Sequence, residues 1–199
     1  MDGYQRRSEQ KKKDILRSAL KLFLAYGIEK VSVAEIARQA GASQVTIYNY
    51  FGSKQKLVEE MLVHYLDQIW AEYEKMLSAD MPFIAKLKRI MFAKINTANE
   101  LHPEAFTHFM KKYATGVPHL ETMMQEKILP TLMALIEQGK REGEVNPELS
   151  DESVLVFIQM FRDYMQKEEA YPQLQKLTGD LTKLFFYGLV GNKQNGDKS

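Results

Sequence analysis

Apolar residues recur at helical spacing along almost the whole chain, and no alternating Val/Ile/Thr-rich run suggests a strand. The first amphipathic segment runs from about Ser8 to Tyr26. There Ile15, Ala19, Leu22, Phe23 and Tyr26 repeat at helical intervals, and Gly27 suits the stop. Ser32-Val33-Ala34-Glu35 has the form of a capping box opening a short helix over Val33–Gln39, with Val33, Ile36, Ala37 and Ala40 turned inward. Gly41 cannot comfortably continue that helix, so the chain turns. Ser43 is placed to cap a third helix over about Gln44–Tyr50. Ile47 and Phe51, four apart, are expected to face the core of a small three-helix head, leaving the polar residues to face outward.

From Lys54, after a cap at Ser53, a long helix extends to about Leu77. Two adjacent apolar rows run along it, Leu57-Met61-Tyr65-Ile69-Tyr73-Leu77 and Val58-Leu62-Leu66-Trp70. At about 1.5 Å per residue it is a rod of roughly 36 Å, apolar enough to lie between the head and further helices. Further helices are expected over Phe83 to about Asn99, from Pro103 to about Lys111, and from Pro118 to about Glu142 with a kink at Pro130. Two more follow, over about Asp151–Lys167 and Gln173–Val190. Val154, Ile158, Phe161 and Met165 form a stripe on the first of these. Leu177, Leu181, Leu184 and Gly188 lie on the second. As an antiparallel pair these last two helices can join a second copy in a four-helix bundle. The expectation is an all-α chain of about nine helices, with a head at 1–53, a helical bundle at 54–190 and a polar, disordered tail at 191–199.

Composition removes several alternatives. A hydrophobic content of 45% supports a sizeable core, and the absence of Cys excludes disulfides and thiolate metal sites. The four His (His64, His102, His108, His119) form neither an i, i+4 pair nor HExxH, and no ExxH occurs, so neither a metal site nor an enzyme on a helical bundle is expected. No cofactor is implied. No apolar run approaches the roughly 20 residues that span a bilayer, and no apolar signal core follows the basic N-terminus, so a cytoplasmic location is expected.

Charge is unevenly placed. Residues 1–58 hold 11 Lys/Arg against 5 Asp/Glu, net +6, and residues 59–199 hold 16 against 21, net −5. Arg6, Arg7, Lys11, Lys12 and Lys13 load the start of the first helix, where cations oppose the helix dipole. That conflict fits a surface meant for phosphates, although a basic tract is commonly only solvated. Two short helices joined by a tight Gly-containing turn form a helix-turn-helix unit, whose second helix can enter a DNA major groove.

The run G-A-S-Q-V-T-I-Y-N-Y-F-G-S-K from Gly41 to Lys54 resembles the signature of the TetR family of bacterial transcriptional regulators, and the similarity extends upstream to Ile15. Weaker echoes lie in 135–145 and 184–191. The resemblance implies a homodimeric regulator, most often a repressor, that binds palindromic double-stranded operator DNA. By position, Gln44 and Val45 would approach base edges, with Asn49 a further reader. Ser32, Ser43, Thr46, Tyr48, Tyr50 and Lys54 would hold or border phosphates. Gln suits adenine and a Val methyl suits the thymine methyl, whereas phosphate contacts position the head without choosing sequence. The resemblance also implies a small, apolar effector bound among the helices between Lys54 and about Glu142. Met61, Tyr65, Ile69, Phe92, Phe106, Met110, Tyr113 and Met124 are candidate lining residues, and release of DNA is the expected response. Such residues equally suit ordinary core, which would leave a ligand-independent DNA-binding or architectural protein with a filled body. Dimerisation is expected through the last two helices.

Overall fold

The structure is a computed structural model that describes residues 3–100, 102–114, 117–165 and 167–190, the side chains of 4, 94–100 and 112–114 excepted. The expected tail at 191–199 lies outside the described residues. The helices are α1 (Gly3–Tyr26), α2 (Val33–Gln39), α3 (Gln44–Phe51), α4 (Lys54–Leu77), α5 (Phe83–Glu100), α6 (Pro103–Ala114), α7 (Pro118–Met123), α8 (Leu129–Arg141), α9 (Asp151–Met165) and α10 (Tyr171–Val190). A π-helical segment, Met124–Ile128, joins α7 to α8, and a 3-10 turn, Glu168–Ala170, leads into α10. With α7 and α8 counted as one rod, the described residues make nine helices and no strand.

One boundary and one helix interior depart notably from the sequence reading, each for a local reason. α1 begins at Gly3 instead of Ser8, because the intervening Gln5, Arg6 and Arg7 are good helix formers. Arg7 Nε also reaches back to the Gly3 carbonyl at 3.2 Å. Pro130 does not simply kink a regular helix. The turn ahead of it widens to π geometry, with Leu129 N–H bonded to the Met124 carbonyl five residues back. Proline's missing N–H and its clash with the preceding turn account for that widening.

The chain forms two compact units. The first comprises Met1–Ala71 with Glu100–Phe109. Its core gathers Ile15 and Phe23 of α1, Ile36 of α2, Ile47 of α3, and Leu57 and Met61 of α4, all essentially without solvent exposure. Each such side chain contributes about 1.5–3 kcal/mol on burial. Because Leu57, Val58 and Met61 close this core, the unit extends well past residue 53. α6 also contributes: Phe109 packs on the core, with its ring centroid 5.8 Å from that of Tyr65. The Glu104 carboxylate accepts the Glu29 backbone N–H at 2.8 Å, at the turn between α1 and α2.

The second unit comprises Glu72–Asn99 with Met110–Ser199. Phe83, Leu87 and Ile90 of α5 meet Leu135 and Ile136 of α8, Val154 of α9, and Phe186 and Leu189 of α10 in its core. Gly139 is required on α8, since a Cβ there would lie 2.5 Å from Val145 Cγ2 and 2.9 Å from the Phe83 ring. A polar group is satisfied beside this core. Lys86, only 8% exposed, donates to Gln138 Oε1 at 2.9 Å. Gln138 in turn donates to the Met81 carbonyl and to Glu142, and Glu142 accepts the first N–H of α5, from Phe83, at 2.8 Å. The Gln138 bond, followed by the Phe83 bond, holds the Glu142 carboxyl below its ordinary range.

Candidate nucleic-acid interface

Three local devices present α3 to solvent. Gly41 adopts φ 57°, where a side chain is disfavoured, and Ala42 N–H closes the turn onto the Ala37 carbonyl at 2.9 Å. Ser43 caps α3, its Oγ accepting Thr46 N–H at 3.0 Å. At the far end Gly52, with φ 75°, donates to the Tyr48 carbonyl at 2.8 Å and stops the helix. Ile47 and Phe51 are buried as the four-residue spacing requires. Gln44, Val45, Tyr48 and Asn49 are exposed, at i, i+1, i+4 and i+5 along one face. Val45 is 68% exposed and Tyr48 49%. An isolated apolar residue held out among amide and phenol groups matches the edges of base pairs, which offer donors, acceptors and the thymine methyl.

The other expected contacts are partly engaged within the head. Tyr50 packs on the core, with its hydroxyl 2.9 Å from Ser8 Oγ, so it clamps α1 to α3 and reaches a phosphate only when Ser8 is the donor. Ser32 donates both its backbone N–H (2.8 Å) and its hydroxyl (2.7 Å) to Glu35 Oε2. These bonds, the backbone one first, hold the Glu35 carboxyl below its usual value. A phosphate at Ser32 would have to displace that carboxylate. Thr46 Oγ1 lies 2.8 Å from Ser43 Oγ. Lys54 Nζ donates weakly to the Glu29 carbonyl at 3.5 Å, leaving two of its protons for another acceptor. Lys11, whose Nζ bonds the Gly41 carbonyl at 3.2 Å, was not singled out for this turn by the sequence. Its place in a basic run was visible, but its partner depends on where α1 crosses the turn.

The candidate pocket residues belong to both compact units and differ in burial. Met61 is fully buried in the head core, because its row on α4 is the one that closes the head. Tyr65 packs on that same core. Ile69, Phe106, Met110 and Met124 are half-buried. The Tyr113 side chain lies outside the described residues. Phe92, 67% exposed, instead borders an open groove of about 710 Å³ between the end of α4 and α5. Met76, Ala79 and Ala93 line it together with Glu72, Lys75, Lys88 and Arg89.

The expected pairing stripe needs one correction. Val154 is 4% exposed and belongs to the body core, and Ile158 packs on it, because α9 is apolar on two sides and this is the inward one. Phe161 and Met165 are half-buried. The outward side carries Val156, Phe157, Met160 and Tyr164, which the sequence reading passed over. On α10 the chosen stripe does face out: Leu177 and Gly188 are exposed, Leu184 is 71% exposed, and Leu181 is half-buried.

Among the described residues no group of three or more His, Cys, Asp or Glu is placed to hold a metal ion, and no helix is long and apolar enough to cross a membrane.

Comparison with known proteins places this geometry. Residues 15–61 match the family described as bacterial regulatory proteins, tetR family. The chain is 27% identical over 193 residues to the HTH-type transcriptional regulator RutR of Escherichia coli K12, covering 92% of this chain and 87% of RutR. It is 25% identical over 149 residues to the HTH-type transcriptional repressor KstR2 of Mycolicibacterium smegmatis, covering 73% and 72%. A solved TetR transcription regulator from Haloarcula marismortui superposes with a TM-score of 0.64 at 15% identity, over 92% of this chain and all of that one (100%). The two relatives are transcriptional regulators by description. Residues 15–61 thus match the tetR family of bacterial regulatory proteins, and most of the chain is similar to helix-turn-helix-type transcriptional regulators.

Proposed function

We propose that the protein is a homodimeric repressor whose two α3 helices read successive major grooves of a palindromic operator. The observation that carries this reading is the exposed face of α3, with Gln44, Val45, Tyr48 and Asn49 held out by capped ends and a buried Ile47. Gln44 and Val45 contact base edges. Tyr48 and Lys54 hold phosphates, with Thr46 and Ser43 at the entry of the helix and Ser32 and Tyr50 at its margins. The sign, repression, follows the similarity to KstR2, a repressor.

Two copies join through the outward faces of α9 and α10. Leu155, Val156, Phe157, Met160, Tyr164, Leu177, Leu184 and Tyr187 are large apolar residues left exposed by one protomer. A patch of that kind is uncommon on a monomer. Gly188 has no atom within 4 Å of an added Cβ, which leaves room for a second helix to approach closely.

The effector is a small apolar molecule bearing an anionic group, seated in the groove between α4 and α5. Met76 and Phe92 supply the apolar floor, and Lys75, Lys88 and Arg89 the counter-charge. The first turns of α4 help close the head core, while Tyr73, Met76 and Leu77 in its last turns pack on the body core. A ligand pressing on those last turns therefore acts on the helix that supports the head. It shifts the equilibrium only by binding the DNA-incompetent arrangement more tightly.

Point variants test the DNA reading. Tyr48→Ala is expected to weaken binding to every sequence alike, whereas Gln44→Ala relaxes preference at one base pair by about 1–3 kcal/mol. Wild-type affinity and specificity in both variants would overturn the docking. An anilinonaphthalene sulfonate dye probes the groove: it is expected to lower operator affinity for the wild type and to bind Phe92→Ser poorly. Unchanged operator affinity at saturating dye would count against that groove as the controlling site.

A further inference from the structure

Residues 3–14 precede the segment that matches the family, yet α1 runs through them without a break. At about 1.5 Å per residue this extension adds roughly 18 Å of helix. Two of its bonds to the head flank α3. Ser8 Oγ meets the Tyr50 hydroxyl near the end of α3 at 2.9 Å. Lys11 Nζ meets the Gly41 carbonyl, in the turn leading into α3, at 3.2 Å.

Only some charges of the extension are spent on the fold. Lys12 pairs with Glu60 and lies 5.5 Å from the centre of the Phe51 ring, so it is structural. Arg6, Arg7 and Lys13 are exposed, and none forms an ion pair among the described residues. Arg7 gives only its Nε to the Gly3 carbonyl. Two acids share the extension, Glu9 and Asp14, and Asp14 is engaged by Gln10 and Arg17. Arg7 and Lys11 are four residues apart and so share a side of the helix. The arginine is thereby carried on the same side as the lysine that touches the Gly41 turn. Cations in the first turns of a helix oppose its dipole, so their placement costs stability unless an anion meets them.

We propose that this extension is a second DNA contact, in which Arg6 and Arg7 neutralise phosphates flanking the base pairs read by α3. It rests on the reading of α3 as the recognition helix. The occupant is duplex DNA because these exposed cations lie on an element bonded near both ends of the helix that bears Gln44 to Asn49. The contact is with phosphate, so it adds affinity and reach without changing which sequence is chosen.

The experiment measures the salt dependence of binding on two duplexes that carry the same selected site, one with long flanks and one trimmed to the site. Wild type is compared with Arg6→Ala/Arg7→Ala, and with Lys127→Ala/Arg141→Ala as a control of equal charge change elsewhere on the surface. On the long duplex, the slope of log K against log salt is expected to fall by about 3 to 4 in the arginine variant, from two contacts per protomer at about 0.9 each. That difference amounts to roughly a 100-fold change in relative affinity over a fourfold range of salt. Trimming the flanks should bring wild type to the variant's slope, and the control should keep the wild-type slope on both duplexes.

Equal slopes for wild type and the arginine variant on the long duplex would overturn the proposal, as would a control that loses as much as the variant. Should wild type fail to prefer the selected site over random duplex, the reading of α3 would fall instead. The slope comparison on random duplex would then still decide the extension.

Discussion

Val45 on α3 and Leu184 on α10 are almost equally exposed, at 68% and 71%, and both are apolar. Their surroundings differ. Val45 stands among Gln44, Tyr48 and Asn49, side chains that donate and accept hydrogen bonds at set positions along a short, doubly capped helix. Leu184 shares its unit with Leu177, Tyr187, Phe157 and Met160, all exposed and all largely apolar. A lone apolar group inside a polar pattern suits a base edge, where one methyl contact supplements directional bonds. A field of apolar groups suits another protein surface, where burial itself supplies the free energy. On the proposed reading, the head and the body turn the same kind of exposed residue to different partners.

The strongest way to break this contrast is Leu184→Asp. A carboxylate in the apolar field is expected to leave the protein monomeric in sedimentation. Operator affinity should fall about 100-fold or more once the two heads are no longer linked. A variant that stays dimeric would remove α10 from the interface. Truncation of a buried residue in the head acts on folding. Phe23→Ala should destabilise the head by about 3–5 kcal/mol, read from thermal or denaturant melting. Leu184→Ala, made on the exposed face, should change protomer stability by less than about 0.5 kcal/mol under conditions where the chain is already monomeric.

The cap of α3 gives a smaller effect. Ser43→Ala removes the acceptor of Thr46 N–H and is expected to cost about 1 kcal/mol, with weaker binding to all DNA sequences. A circular-dichroism melt unchanged from wild type would show that the cap does not hold the helix.

The smallest effect concerns pH. His64 Nε2 is buried without a hydrogen-bond partner. Burial, and then the charge of Arg17 with a lesser push from Lys13, lowers its pKa below 6.5, against a smaller opposing pull from Asp67. The unfolded chain therefore takes up this proton first as pH drops below about 6.5, and stability declines with acidification until the folded pKa is passed. His64→Gln should show a shallower fall in melting temperature between neutral pH and mild acid than wild type does. Parallel curves would mean that the imidazole is not held neutral by the fold.

How legible each region was in the sequence follows from the same contrast. In the head, Ser32-x-x-Glu35, Gly41 and Ser43 are residue types with specific backbone duties, and each stands at the position its motif requires. The outward face of α3 could be read because a core excludes amides, which made Gln44 and Asn49 conspicuous. Along α9, by contrast, Val154 and Val156 are the same residue two places apart, one in the core and one exposed. Periodicity finds an apolar side but cannot rank two of them. Met61 and Phe92 illustrate the same limit. Both were candidates for one cavity, yet the first fills the head core and the second stands in solvent. Bonds that bridge distant segments, such as Ser8 with Tyr50 and Glu104 with Glu29, depend on how the helices cross and leave no local pattern.

The pairing of a base-reading face on α3 with a self-pairing face on α9 and α10 is tested most directly by selecting bound sequences from random duplex DNA with the wild-type protein. The enriched sequences should form a palindrome whose half-sites are centred about 34–36 Å apart or a multiple of that spacing. Enrichment of a single asymmetric site, or of none, would contradict the account.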